Sequence, residues 1–422
     1  MKKTYDVIVI GGGAAGMMAA SIAGAQGASV LLLEKNDTLG KKLLISGGGR
    51  CNVTNGELDT RTLLAKFNSK TQKSDQFLFS AFAQFAVEDT LDFFHTRNMQ
   101  TKEENDKRIF PVSNSSQSVF DVLVNEMKKT HVEMRSHAEV KKLLKKDGQI
   151  TGIELSNKEI LTAEAYIVAT GGKSHPETGS TGDGFVWLKD LGHTVSETDS
   201  ALVPLSIKNE WVKELAGITL TDIKITVLQN DNKYDVKKGK LLFTHVGVTG
   251  PTILNMSRDI GELLRYGSVE LSLDLMPTYD YGTLDTHILE IFAMHSNKKI
   301  KNVVSEIVPT ALAKIILERA SINPEAPCNG ITKLERPRLV HTLKTFTLEV
   351  KGLLGLSKAV VTSGGVDLKE VDFRTMQSRK YPNLYLIGDI LNISRPSGGY
   401  SLQLCWTTGY VAGLHAAKNN KE

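Results

Sequence analysis

Val7-Ile8-Val9-Ile10-Gly11-Gly12-Gly13-Ala14-Ala15-Gly16 joins a β-branched run of strand length to a glycine turn, and small, helix-tolerant residues follow from Met17 to Ala25. A second apolar run, Val30-Leu31-Leu32-Leu33, ends in Glu34. This order predicts a βαβ unit carrying the glycine fingerprint in the context that fingerprint requires. Gly11 turns the chain tightly out of the strand, Gly13 puts no side chain between backbone and a pyrophosphate, and Gly16 lets the helix lie close to the sheet. The orphan N–H groups around Ala14 and Ala15 would then face two phosphates, with the helix dipole adding to the attraction. Glu34, at the next strand end, is placed to accept hydrogen bonds from a ribose diol. The alternative, a ligand-free glycine turn, is outweighed because strand, helix and acid are all in place. A dinucleotide is the expected ligand.

The length of 422 residues calls for two or three domains. A net charge of +4 is too slight to argue for nucleic acid as a partner, and no basic stretch with interleaved aromatics stands out. The cluster Lys141-Lys142 and Lys145-Lys146 around Leu143-Leu144 reads as an exposed hairpin strand. Cys51, Cys328 and Cys405 are scattered and form no C-x-x-C, so neither a zinc site nor a dithiol pair is written locally, and no metal is expected. Lys2-Lys3 before an alanine-rich stretch imitates a leader peptide. Asp6 and the glycines interrupt it, and no apolar run reaches membrane-spanning length, so a cytoplasmic protein is expected.

Beyond Glu34 and Lys35 a polar connection leads to Ile45-Ser46-Gly47-Gly48-Gly49-Arg50-Cys51-Asn52-Val53-Thr54-Asn55. Three consecutive glycines bracketed by Ile45 and Val53 suit a backbone loop that approaches something flat or anionic. The Phe-rich positions of residues 76–97 predict a core-facing helix pair, and Ser118 to Met127 a further helix. Val132 to Val168 reads as an antiparallel meander with turns at Asp147-Gly148 and Ser156-Asn157, ending in Ala169-Thr170-Gly171-Gly172. That second close-backbone turn returns the chain to the nucleotide sheet. Residues 202–275 are read as mostly strands, followed by four amphipathic helices between Leu284 and Phe346, and then a returning strand at Thr347 to Val350.

The C-terminal stretch Leu384-Tyr385-Leu386-Ile387-Gly388-Asp389 is a strand with Gly-Asp at its carboxyl end, where ligands of open α/β sheets lie. Asp389 suits a polyol chain and Gly388 admits a phosphate. Pro396 to Gln403 opens a last helix, whose N-terminal amides would face the pyrimidine edge of a flavin. Two glycine turns and a glycine-opened terminal helix favour FAD over NAD.

The sequence resembles the YhiN/BaiN-like flavoproteins, described as aminoacetone-oxidase-family FAD-binding proteins or NAD(FAD)-utilising dehydrogenases. The resemblance rests on the Gly11 to Gly16 run, Gly40 to Asn55, Ala169 to Gly172, Thr178-Gly179-Ser180-Thr181-Gly182-Asp183-Gly184, Phe243-Thr244-His245-Val246-Gly247-Val248-Thr249-Gly250-Pro251 and Gly398-Gly399-Tyr400. It spans essentially the whole chain. It implies an α/β fold: a glutathione-reductase-like FAD-binding Rossmann domain, split by an inserted β-barrel-like domain that carries a small helical bundle. The expected divisions are 1–195 and 359–422 for the FAD-binding domain, 196–278 and 346–358 for the inserted β domain, and 279–345 for the helical insertion. FAD is expected to be non-covalent. Its contacts are expected from Gly11, Gly13, Ala14, Ala15, Gly16, Glu34, Lys35, Lys42, Gly48, Arg50, Cys51, Asn52, Val140, Ala169, Thr170, Gly171, Gly388, Asp389, Gly399, Tyr400 and Ser401. The chain departs from the family's pattern at Gly388-Asp389 to Arg395-Pro396, where relatives carry Gly-Glu and a more acidic segment, and Arg395 brings positive charge towards the flavin.

With no second strand–glycine–helix fingerprint, NAD(P)H would act only as a transient reductant at the flavin face. The expected activity is hydride transfer between flavin N5 and a small or medium organic substrate, by C=C (enone) reduction or amine oxidation. A flavin-dependent RNA-modifying protein and a redox sensor without turnover are the rival readings. His245 is a candidate acid/base group against a structural role. Tyr400 is a candidate proton donor or flavin-stacking residue against simple helix packing. For Arg50 the competing reading is a surface salt bridge, and for Cys51 buried packing.

Overall fold

The computed structural model describes residues 4–68, 73–196, 199–264, 266–355 and 361–418. Lys2, Lys3 and the expected division at 358/359 lie outside them. The chain forms two compact units, one from residues 1–201 with 356–422 and one from residues 202–355.

In the first unit, strand β1 (Thr4–Ile10), helix α1 (Ala14–Ala25) and strand β2 (Val30–Leu33) form the βαβ unit. Both strands are almost wholly buried, as strands covered on both faces must be. β1 lies at the centre of a parallel sheet, between β2, in register from Val7↔Val30 to Ile10↔Leu33, and strand Ile160–Val168, in register from Thr4↔Thr162 to Ile10↔Val168. Glu133–Arg135 is the parallel edge strand beside β2, not the first strand of a meander. The antiparallel meander is Val140–Lys146, Gln149–Leu155 and the first residues of Ile160–Val168. The last residues of that strand instead pair in parallel with Leu384–Leu386, so the two ends of the chain meet in one sheet. Asp147 and Gly148 both take positive φ in the meander's turn, as an Asp-Gly hairpin requires.

The C-terminal helix, Tyr400–Lys418, packs against α1 at glycine distance. A Cβ at Gly409 would come within 2.6 Å of the Ala15 carbonyl oxygen, and one at Gly413 within 2.4 Å of that of Ala19. Small residues four apart thus bring the two helices into backbone contact. Trp406, fully buried on the same helix, donates from Nε1 to the Val53 carbonyl at 2.9 Å.

In the second unit six strands close a barrel in the order Leu205–Ile207, Gly247–Thr249, Asn232–Thr244, Thr219–Gln229, Val269–Asp274 and Phe346–Leu353. Helices Tyr281–Met294, Ile300–Ile307, Thr310–Arg319 and Glu335–Lys344 stand between the last two strands in sequence, and their apolar faces join the barrel in one core. Pro251–Leu263, read above as part of a strand-rich region, is a helix. Its buried residues Ile253, Met256, Ile260 and Leu263 recur every three to four positions, and Pro251 occupies the first turn, where its missing N–H costs nothing.

Candidate functional site

The glycine turn after β1 is held by neighbours that leave one side of it open. Gly11, at φ 111°, donates its N–H to the Leu33 carbonyl at 2.8 Å, and a Cβ there would lie 2.5 Å from the Ala169 oxygen. A Cβ on Gly16 would fall 1.9 Å from the Gly11 oxygen. Gly13 differs: nothing lies within 4 Å of where its Cβ would be. It caps α1 with no side-chain hydrogen bond, and no acidic residue stands in the first turn. The first amides of α1 are therefore left without a side-chain cap at the carboxyl edge of the sheet, where helix N–H groups can receive an anion.

Glu34 is buried at the end of β2, and its carboxylate is largely engaged by the protein. Oε2 accepts from the Gly12 N–H at 2.9 Å, and Oε1 accepts from the Asn36 backbone N–H at 2.9 Å and from its Nδ2 at 2.7 Å. A carboxylate offers about four acceptor positions, so one direction on Oε2 remains for a ribose hydroxyl. Val140 begins the meander just beyond Ala138, whose N–H donates to the Glu34 carbonyl at 2.9 Å. Lys35 pairs with Asp183 at 2.7 Å and donates to Thr181 Oγ1 at 2.6 Å, while Asn36 Nδ2 also reaches the Thr178 carbonyl at 3.0 Å. These contacts tie the loop 174–184 to the end of β2, a role for Lys35 that spacing alone did not show.

Gly47, Gly48 and Gly49 are left-handed, at φ 58°, 69° and 85°, and so is Cys51 at 59°. Gly48 and Gly49 are exposed, with open space where a Cβ would be. Asn52 Oδ1 is buried with no hydrogen-bond partner, and so is Thr170 Oγ1. A native fold keeps such orphans rare, and an amide oxygen beside open glycine backbone suits a hydrogen-bonding ligand. Burial pushes the Cys51 thiol up to about 12, so it is no thiolate at neutral pH. Arg50 takes the ion-pair alternative. It pairs with Glu104, donates from Nε to Asn114 Oδ1 at 3.2 Å, and lies 4.2 Å over the Phe110 ring.

Gly399, at φ 101°, presses on the Asn52–Asn55 segment, since a Cβ would meet the Thr54 carbonyl carbon at 2.3 Å. Asn55 Nδ2 donates to the Gly398 oxygen at 3.1 Å. Gln403, fully buried, accepts from Thr54 Oγ1 at 2.6 Å and donates to Thr90 Oγ1 at 2.9 Å. Gln403 was not singled out from sequence, although a glutamine on a buried helix face, four before Thr407, was the available signal. Tyr400 is buried with its ring edge-on to Phe67 at 6.0 Å, and burial pushes its hydroxyl up, which fits the packing alternative.

Gly388 sits over α1, where a Cβ would meet Ala15 Cβ at 3.1 Å, and its N–H donates to Thr408 Oγ1 at 3.1 Å. Asp389 pairs with the buried Arg395, which donates from Nε to Ser401 Oγ at 3.0 Å and from a terminal nitrogen to the Ile393 carbonyl at 2.7 Å. Arg395 therefore brings no free positive charge to the site. Lys42 Nζ donates to the buried Ser174 hydroxyl at 3.2 Å. Burial pushes its ammonium down, and the nearby Asp389 partly opposes this. His245 lies in the second unit, exposed at the turn between strands Asn232–Thr244 and Gly247–Thr249. Among the described residues no cluster of His, Cys, Asp or Glu could hold a metal ion, and no helix is long and apolar enough to cross a membrane.

Residues 5–415 match the family described as HI0933-like protein Rossmann domain. The chain belongs to that family. This HI0933-like chain is 31% identical over 421 residues to the ribosomal RNA dihydrouridine synthase of Escherichia coli, covering 99% of each. It is 30% identical to the 3-dehydro-bile acid delta(4,6)-reductase of Clostridium scindens, covering 97% of this chain and 98% of that one. The 3-ketosteroid delta1-dehydrogenase of Sterolibacterium denitrificans shares its fold at a TM-score of 0.58 and 14% identity, with 99% and 100% coverage. The HI0933-like chain is an FAD-dependent oxidoreductase with a Rossmann-type cofactor domain. The residues fit FAD, on the open face at Gly13, the open glycines 48 and 49 and the orphaned Asn52 oxygen.

Lys42 supplies a pH test of this arrangement. Its proton is held less firmly than a free lysine's, so without cofactor the fold gains stability as pH rises through the window below 10.5. If the Lys42 ammonium is a contact of the anionic cofactor, FAD affinity should fall as pH climbs through that window. Lys42→Met should flatten the profile and weaken binding about tenfold to a hundredfold, the worth of one charge-assisted hydrogen bond, measured by flavin fluorescence titration. An unchanged profile would remove Lys42 from the candidate cofactor contacts.

Proposed function

We propose that this protein reduces a carbon–carbon double bond conjugated to a carbonyl, with NAD(P)H as a transient reductant. Bound FAD supplies the redox chemistry, a hydride from N5 once it is reduced. The observation that carries the reading is the shared chemistry of two relatives, 31% and 30% identical to this chain. A dihydrouridine is a uridine whose ring double bond, conjugated to a carbonyl, has been reduced. A delta(4,6)-reductase of a 3-dehydro bile acid works on double bonds conjugated to the 3-oxo group. In both, a hydride at the β carbon leaves negative charge on the carbonyl oxygen, and a proton completes the α carbon. Amine oxidation has no such support.

The chain's own part is to hold and orient. The α1 amides bear the pyrophosphate, and Lys42, between Ser174 and Asp389, adds a cation beside it. Asn52 Oδ1 offers an acceptor and Gly48 and Gly49 a close, flat approach. The start of the C-terminal helix supplies amides where negative charge develops. His245 is kept as the candidate proton donor. The experiment is anaerobic: reduce the flavoprotein with NADH or NADPH, then mix with 2-cyclohexenone, a steroid 4-en-3-one, a uridine-containing RNA or a primary amine. Return of oxidised-flavin absorbance with a conjugated acceptor is expected. Flavin reduced directly by the amine, with no conjugated acceptor reoxidising it, would overturn the proposal.

A further inference from the structure

Hydride transfer to a bound flavin adds one negative charge, and three of the cations around the candidate site are already committed. Arg395 is paired with Asp389, Arg50 with Glu104 and Lys35 with Asp183. A fourth, Lys42, bonds to the buried Ser174 hydroxyl, and burial weakens its hold on its proton. Ser174 is followed by a group whose charge is not fixed. His175 Nδ1 lies 2.7 Å from Glu177 Oε1. The bond from His175, with a smaller contribution from the charge of Lys42, holds the Glu177 carboxyl below the usual carboxylate range, so it stays ionised. An ionised carboxylate only accepts, so Nδ1 carries the hydrogen and Nε2 the lone pair. Among the described residues Nε2 has no hydrogen-bond partner, and the imidazole is 25% exposed, enough for a solvent proton to reach it. Backbone and ring are both held. His175 is left-handed at φ 52°, and its carbonyl accepts from the Thr178 N–H at 2.9 Å and from Thr178 Oγ1 at 2.7 Å. The loop leaves strand Ile160–Val168 at the end where Val168 pairs with Ile10, the same sheet edge as the α1 amides.

We propose that His175, held by Glu177, takes up a solvent proton when the flavin is reduced and gives it back when the flavin is reoxidised. The hydride from NAD(P)H brings two electrons and one proton to the flavin. A second proton goes to His175 Nε2, and the imidazolium balances the new negative charge. When the hydride passes to an acceptor, Nε2 returns its proton to solvent, and the acceptor's own proton comes from a separate donor. Histidine is the side chain whose charge ordinarily changes near neutral pH, and a carboxylate on Nδ1 favours the charged ring. The other charges that bear on the pair are Lys42, which acts on Glu177, and Asp389, which acts on Lys42. On the same loop stand the Lys35–Asp183 ion pair and Lys173, whose side chain packs on Gly182. The inference goes beyond the reading of a conjugated acceptor and does not depend on it, because its test contains no acceptor.

The test follows the reduction potential of the flavin-loaded, full-length protein against reference dyes from about pH 5 to pH 8, read by flavin absorbance. Across the step where His175 gains its proton, the potential of the parent should fall about 30 mV per pH unit more steeply than that of His175→Asn. That difference is one tenfold per pH unit in a two-electron equilibrium. Asparagine tolerates the left-handed backbone, so the turn is kept. Glu177→Gln should retain the step and move it to lower pH, because a neutral amide no longer favours the imidazolium. That variant leaves His175 in place, so it reads the site even if His175→Asn fails to load with flavin. His131→Asn, at another exposed left-handed histidine, should match the parent. A slope that His175→Asn leaves unchanged would overturn the proposal, since the second proton would then rest on the flavin itself. A parent without the steeper step, a step that Glu177→Gln does not move, or its loss in His131→Asn would overturn it as well.

Discussion

Gly13→Val is expected to yield a folded protein that is colourless. The substitution meets nothing of the protein, since no atom lies within 4 Å of the new Cβ, and φ at Gly13 is an ordinary −84°. It therefore tests the ligand space and leaves the packing intact. Its branched side chain fills the opening in front of the α1 amides, where a pyrophosphate would accept their hydrogen bonds. Losing two charge-assisted bonds, each worth about 1.5–3 kcal/mol, should weaken FAD binding roughly a hundredfold or more. Gly16→Val supplies the contrast. Its Cβ would fall 1.9 Å from the Gly11 carbonyl oxygen, so that variant should lose soluble protein as well as colour. Circular dichroism and the absorbance of desalted protein separate the two outcomes. A yellow, stoichiometrically loaded Gly13→Val protein would refute the placement of the pyrophosphate at α1.

That contrast marks how far the residues could be read unaided. The βαβ unit was legible because its signals are local: a β-branched run, glycines at fixed offsets, an acid at the next strand end. Gly388-Asp389 at a strand's carboxyl end pointed the C-terminus to the cofactor sheet, but nothing local in Leu384–Leu386 says which strand it joins. Glu34 shows where local reading stops. Its type and place suit a ribose, but the bonds from Gly12 and Asn36 that consume most of its capacity come from the three-dimensional turn. For Arg50 the sequence leaves a flavin contact and a surface salt bridge both open, and only the fold names its partner, Glu104, fifty-four residues away. The helix Pro251–Leu263 was hidden for another reason. It sits between strands, and its three-to-four spacing carries few enough apolar residues to pass for an alternating pattern. Net charge was the least informative signal. A total of +4 does not say which cations are paired, as Lys299 and Lys301 are on Glu325, and only the ion-pair geometry shows it.

Arg395→Met should be the most damaging substitution away from the glycines. The guanidinium is 1% exposed and bonds to Asp389, Ser401 Oγ and the Ile393 carbonyl, tying the Gly388-Asp389 turn to the start of the C-terminal helix. Removing it strands the Asp389 carboxylate, itself 13% exposed, without its counter-ion. Breaking one side of a buried pair costs about 3–5 kcal/mol, most of it the penalty of an uncompensated charge rather than the worth of the bond. Arg395→Met/Asp389→Leu separates these terms. An apolar pair of similar volume avoids the desolvation cost, so the double variant should recover at least half of the lost stability in urea unfolding of the cofactor-free protein. Its FAD affinity should remain low, because Asp389 is also the candidate partner of the polyol chain and the carboxylate nearest Lys42 in effect. Recovery of stability without recovery of flavin would assign the pair two separable tasks, holding the turn and presenting a carboxylate. If the double variant unfolds as readily as Arg395→Met, the penalty lies in the lost bonds to Ser401 and Ile393, and the ion pair is incidental to the fold.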